Sequence, residues 1–294
     1  MKPLTYDDLK PRLEKHALYL QKQEGGERLN LAGQNLRRIN LADANLRDAF
    51  LSDTDLSEAN LKDANLTDAD LSDANLEGAN LDYARLSGAN FTDANLEGAN
   101  LSHAKLTGAI LVDANLEGAN LDGCSLMGID LTDANLLGAN LAGINLMGAT
   151  LVDVNLEGAN LRNANLTCVN LTDTNLTGAN LEEANLMGAK LADAVLTGCN
   201  LKGANLLCAV LTDVDLIGAT LTEANLTSTK MQDAKLVGAT LRNAILKDAD
   251  LEDADLKGAN LTGADLEDAY LEGANMKDVN LTGVLHFTFH KKAD

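Results

Sequence analysis

One apolar position recurs along most of this chain with a period of five. From Leu31 to Leu281 every fifth residue is Leu, save Phe91, Met231 and Met276, which makes 51 consecutive pentads without an inserted or deleted residue. Counting that residue as i, position i−2 is Ala in 37 of the 51, and its replacements are mostly small or β-branched, as at Cys124, Ile129, Val154, Thr174 and Cys199. Position i−1 is Asn or Asp in 36, so the unit reads A-(N/D)-L-x-x. A strand needs alternation of two. A helix of 3.6 residues per turn would smear period-five leucines around its whole circumference, and frequent Asn, Asp and Gly disfavour a long helix. Period five fits a chain that turns a corner every five residues, with each Leu and each small i−2 residue pointing to a central axis. Leu31, Leu156 and Leu281 mark the start, middle and end of that expected core. Positions i−1, i+1 and i+2 are expected to face solvent.

This unit, sustained over about residues 29 to 284, resembles the pentapeptide-repeat family. The resemblance implies an all-β fold, a right-handed quadrilateral β-helix with four pentads to a coil and about thirteen coils. At roughly 4.8 Å per coil the solenoid would be about 60 Å long. The expected organisation is a helical cap over residues 1–28, the β-solenoid over 29–284, and a capping or dimerisation tail over 285–294. Thr5 and Asp8 have the spacing of a capping box, but Pro11 argues against an unbroken helix from Thr5. The helix is therefore expected from about Pro11 to Gln23, with Leu9, Leu13, Tyr19 and Leu20 over the first coil and Gly25-Gly26 ending the segment. Leu285, Phe287 and Phe289 alternate with His286, Thr288 and His290, a strand pattern that would cap the last coil or pair with a second copy.

Composition narrows the function. Aromatic residues are 3% of the chain and Trp is absent, so no conventional aromatic core is expected. The net charge of −21 disfavours direct contact with nucleic acid or an anionic membrane and suits a basic partner. The segment Met1 to Lys15 has no apolar signal core, and no run of about 18 apolar residues occurs, so neither a secretory leader nor a bilayer span is expected. Four Cys without C-x-x-C spacing read as free thiols of a reducing cytoplasm, with secretion by a signal-less route left open. Cys124 and Cys199 occupy the inward position, while Cys168 and Cys208 lie forty residues apart on one edge, beyond disulfide reach.

No nucleotide loop or nucleophile motif is present, and His103 stands alone on the surface. His286 and His290, four apart, would suit a metal on a helix but are read as incidental on a strand-like tail. The expectation is a non-enzyme with no catalytic residue, cofactor or metal. Two features rise above the repeat. Residues 40 to 100 carry 13 acids and 3 bases. Asp53, Asp63, Asp68 and Asp73 represent that acidic face. The quinolone-resistance members of the resembled family mimic DNA in this way and bind DNA gyrase, which makes topoisomerase binding one implied function. Sorting outward positions by twenty reveals the second feature, an apolar strip with Ile110, Met127, Met147, Met187, Leu207 and Val210 flanking one edge. The leading reading is a scaffold that binds a protein through that strip, possibly as a homodimer through its C-terminal end. The alternatives are the acidic DNA mimic and a secreted effector that uses the solenoid as a targeting rod.

Overall fold

The computed structural model describes residues 2–287, and the chain falls into two compact units, Met1–Asn140 and Leu141–Asp294. In both, a pentad with Asn at i−1 accounts for all five of its backbone N–H groups. In the first unit Leu61 donates to the carbonyl of Asn80 at 2.7 Å and Asp63 to that of Asp82 at 2.9 Å, while Asn65 donates back to Ala44 at 2.9 Å. Ala64 closes a turn onto the carbonyl of Leu61 at 3.0 Å. The fifth donor, Lys62, bonds the side-chain Oδ1 of Asn60 at 3.3 Å. The second unit repeats the scheme at Leu176, Thr177, Gly178, Ala179 and Asn180, with Thr177 donating to Asn175 Oδ1 at 3.0 Å. Three of every five donors therefore run to residues about twenty positions away, so that four pentads return the chain to its own column. Burying these pairs satisfies groups that would otherwise cost free energy inside the wall.

The sequence pattern follows from this scheme. Residue i+2 is the third of a turn that requires positive φ, as at Asp63 (57°) and Gly178 (65°), which favours Gly, Asp and Asn there. The i−1 residues form isolated parallel bridges at a spacing of twenty, such as Asn75 with Asn95 and Asn180 with Asn200. No strand longer than one bridged residue occurs among the described residues. The all-β expectation therefore takes the form of isolated bridges between corners. Leu31 and Leu156 are fully buried, as are nearly all i and i−2 side chains; Leu281 is only half-buried. Where i−2 is polar, the group finds a carbonyl: Thr54 Oγ1 donates to Leu31 at 2.9 Å and Cys199 Sγ to Leu176 at 3.1 Å.

Position i−1 departs from its expected exposure. It is mostly half-buried, because Asn there accepts from the i+1 N–H and donates Nδ2 to the Asn twenty residues earlier, as Asn95 does to Asn75 at 3.1 Å. Asn or Asp there adds side-chain bonds to the wall and is favoured for that reason rather than as a free surface choice.

The N-terminal helix, α1, runs Tyr6–Leu20 rather than from Pro11. Thr5 and Asp8 form a complete capping box, with Asp8 Oδ2 accepting from the Thr5 N–H at 2.8 Å. That cap outweighs Pro11, which lies inside the helix and removes one donor. Leu9 and His16 are the buried residues of α1, Leu13 and Leu20 are half-buried, and Tyr19 is exposed. Leu4 donates its N–H to Asn35 at 2.8 Å, occupying a carbonyl of the first coil. The helix stops through Lys22 at φ 55°, not through the glycine pair. Gly26 is required for a different reason: a Cβ there would stand 2.4 Å from the Tyr19 nitrogen. At the other end Leu285 still bridges Asp265, but His286 turns to φ 53°, so the expected strand does not continue through it. Thr288, Phe289 and His290 lie outside the described residues.

Candidate interaction surfaces

The nominated apolar residues divide between the two units. In the first, Ile110 and Met127 are 46% and 51% exposed. In the second, the bridged column Asn145, Asn165, Asn185 and Asn205 brings Met147, Met187 and Leu207 onto one edge, each two residues past its Asn. Met147 and Met187 are exposed and Leu207 is half-buried. Beside them the column Lys190, Val210 and Lys230 is bridged in sequence, with Val210 half-buried. Neither lysine forms an ion pair among the described residues. This edge therefore combines exposed Met side chains with two lysines in a chain of net charge −21. Cys168 and Cys208 are exposed, free and at its corner, whereas burial pushes the thiols of Cys124 and Cys199 up to about 12. Those two are inert fillers.

The four nominated acids do not share one edge. Asp53 and Asp73 do, since each donates its N–H to the residue preceding the next Asp in the column. Asp63 belongs to a second edge and Asp68 to a third. Position i+2, taken every twenty residues, carries a stronger pattern. In the first unit Asp53, Asp73, Asp93, Asp113 and Asp133 form one column, and in the second Asp153 to Asp253 fill every twentieth position without exception. All are exposed and left-handed. The next column of the same type is Gly at every twentieth residue from Gly78 to Gly138 and from Gly158 to Gly258. A Cβ at most of these glycines would meet nothing within 4 Å. Backbone geometry accounts for the class Gly, Asp and Asn at both corners but does not choose Asp at one and Gly at the other.

Other groups read as structural. His103 packs at a tilt against Tyr83, with ring centroids 4.7 Å apart. Arg28 covers Phe50 at 3.7 Å from the ring centroid and donates to the Asp48 carbonyl. His16 was not singled out by pattern: it is fully buried, its Nδ1 accepts from the Leu29 N–H at 3.1 Å, and burial lowers its pKa. No helix among the described residues is long and apolar enough to cross a membrane.

Comparison with known proteins adds the following. The family profile described as "Pentapeptide repeats" matches successive segments from residue 35 to residue 283. No curated protein matches significantly. Among solved structures, HetL, a pentapeptide repeat protein involved in heterocyst differentiation regulation from the cyanobacterium Nostoc, is 30% identical, covering 98% of this chain and all of that one, with a TM-score of 0.29. QnrB1, a plasmid-mediated fluoroquinolone resistance protein, is 19% identical over 60% of this chain and 88% of its own, with a TM-score of 0.47. A pentapeptide repeat protein of the Arabidopsis thaliana thylakoid lumen is 34% identical over 34% of this chain and 66% of its own, at a TM-score of 0.27. By its repeat and by the length over which the profile matches, the chain belongs to the pentapeptide repeat family, whose members fold as right-handed quadrilateral β-helices.

Proposed function

We propose that this protein is a non-catalytic, protein-binding scaffold. Four pentads to a coil make about thirteen coils of its 51 pentads, with residues 1–28 as a cap and residues 285–294 as a closing or pairing tail. The observation that carries the reading is the edge of the second unit where exposed Met147 and Met187 adjoin the unpaired Lys190 and Lys230. Clustered apolar exposure favours an interaction site, and Met adapts to irregular partners. The lysines select a partner whose docking segment is apolar and acidic. Met147→Glu together with Met187→Glu should abolish partner capture or self-association while the circular dichroism spectrum is retained, because neither side chain points inward. Glu117→Lys with Glu157→Lys, on another edge, is the control. A Met double variant that sediments and captures partner like wild type would reduce the edge to ordinary surface.

A second reading is favoured by the aspartate column. Carboxylates repeat there at about the strand spacing of 4.8 Å, and the family resemblance links such acidity to topoisomerase binding. Gyrase supercoiling with micromolar protein tests it, followed by the same assay with Asp53, Asp63, Asp68 and Asp73 changed to Asn. Placing the substitutions at Asp53, Asp73, Asp93 and Asp113 instead puts all of them on one edge, and should have the larger effect. Unchanged supercoiling with the parent protein removes this reading.

A further inference from the structure

By register, His286 stands five residues after Leu281, where the next Leu would fall. Leu285 is still held in the repeat, donating to Ala264 at 2.9 Å and accepting from Leu266 at 3.0 Å. His286 then takes φ 53°, and its exposed ring lies with Nδ1 2.8 Å from Asp265 Oδ1. Glu267 belongs to the same pentad as Asp265. One ligand atom from each of Asp265, Glu267 and His286 lies within 4.8 Å of the others, and this is the one such trio of His, Cys, Asp or Glu among the described residues.

From this juxtaposition we propose that Asp265, Glu267 and His286 bind a divalent ion of the zinc class. The ion would staple the last bridged pentad to the pentad twenty residues before it. One imidazole nitrogen and two carboxylate oxygens are a donor set that zinc accepts, whereas calcium and magnesium take oxygen throughout. The two carboxylates balance the charge of the ion. Ligand atoms around tetrahedral zinc sit roughly 3.3 Å apart, given bonds of about 2.0–2.1 Å. The pair His286 and Asp265 is already within that spacing; Glu267 has to swing inward by at most about 1.5 Å. Lys247 opposes the swing, since its Nζ holds Glu267 Oε2 at 3.0 Å. Three protein ligands leave a fourth position open to solvent, so the site is an exchangeable staple rather than a closed structural centre. The ion also competes with protons for His286, whose charge is governed by Asp265, Glu267 and Lys247 around it.

Calorimetric titration of the full chain with zinc, after stripping with a chelator, tests this. One equivalent should bind more tightly than about 100 µM. His286→Ala should weaken it at least roughly tenfold, and Lys247→Met should tighten it by freeing Glu267. Neither substitution should change the zinc-free spectrum, because both side chains lie on the surface. No binding by wild type, equal binding by His286→Ala, or equal affinity for calcium would each overturn the site. A Lys247→Met variant that binds like wild type would remove Glu267 from the ligand set and with it the three-residue proposal.

Discussion

At the start of the repeat Leu31 and Leu36 are fully buried, whereas at its other end Met276 and Leu281 are half-buried and Leu285 is 52% exposed. Leu31, Leu36, Met276 and Leu281 occupy the same inward register, while Leu285 stands at the outward i−1 position. What differs is the cover. α1 supplies Leu9 and His16 as lids, and Leu4 fills a carbonyl that no earlier coil could reach. Among the described residues the later end has a bridge at Leu285 and the His286 contact to Asp265 instead. In a fold where each coil contacts only its neighbours, stability is a sum over interfaces, so a coil with one neighbour is held by about half of what holds an interior coil.

The largest expected effect sharpens that contrast within the second unit. Leu156→Asp places an unpaired charge in a fully buried column and should cost more than about 4 kcal/mol, enough to unfold the coils around it. Leu281→Asp can rotate its carboxylate toward solvent and should cost about 1 kcal/mol. Glu157→Ala, exposed beside Leu156, sets the baseline at under about 0.5 kcal/mol. Urea denaturation followed by circular dichroism measures all three. Equal losses at Leu156 and Leu281 would mean that the later end is covered as well as the interior.

The covered end has its own weak point. The Thr5 hydroxyl accepts from the Asp8 N–H at 3.3 Å, while the Asp8 carboxylate accepts from the Thr5 N–H and hydroxyl and is held below its ordinary pKa by those bonds. Thr5→Ala should destabilise α1 by about 1 kcal/mol. Amide exchange at Leu29, whose N–H reaches His16 on α1, should rise accordingly, while exchange at Leu266 in the other unit stays unchanged. A variant with faster exchange at both sites would show that the cap acts beyond its own end.

Much of this was legible in the sequence because the repeat constrains five positions at once. An unbroken period from Leu31 to Leu281 fixes which side chains are inside, and the Thr5–Asp8 spacing marks the true helix start. Trust in Pro11 as a breaker misplaced that start, since propensity at one residue is weaker than a complete cap. The role of Asn at i−1 was not legible, because its two bonds join residues two apart and twenty apart, and only folded geometry shows both. The aspartate and glycine columns were legible in principle. They lie at the third outward position at a spacing of twenty, and Asp recurring every five residues in the early coils masks them. His16 carried no pattern at all, since its burial comes from where α1 rests and not from neighbours in sequence. The trio at Asp265, Glu267 and His286 was hidden likewise, because a twenty-residue return, not local spacing, unites it.

The smallest effect separates the two ends by sign. Burial lowers the pKa of His16, so in the folded chain it takes a proton at lower pH than the roughly 6.5 of an unfolded imidazole. Below about pH 6.5 the unfolded state therefore binds more protons, and stability at this end declines as pH falls. His286 behaves oppositely, because the hydrogen bond to Asp265 raises its pKa. Its contribution is fully present below about pH 6.5 and is lost as pH rises through the raised value. Asp265 is held below its ordinary value by the same bond. Lowering the pH from 7.5 to 5.5 should then reduce protection of the Leu29 amide, which His16 holds, and increase that of Leu266, which pairs with Leu285. Exchange rates corrected for intrinsic pH dependence measure both. His16→Phe should abolish the change at Leu29 while leaving the one at Leu266. If both amides instead gain protection together as pH falls, relief of the net charge of −21 governs stability, and the two imidazoles do not set the sign at either end.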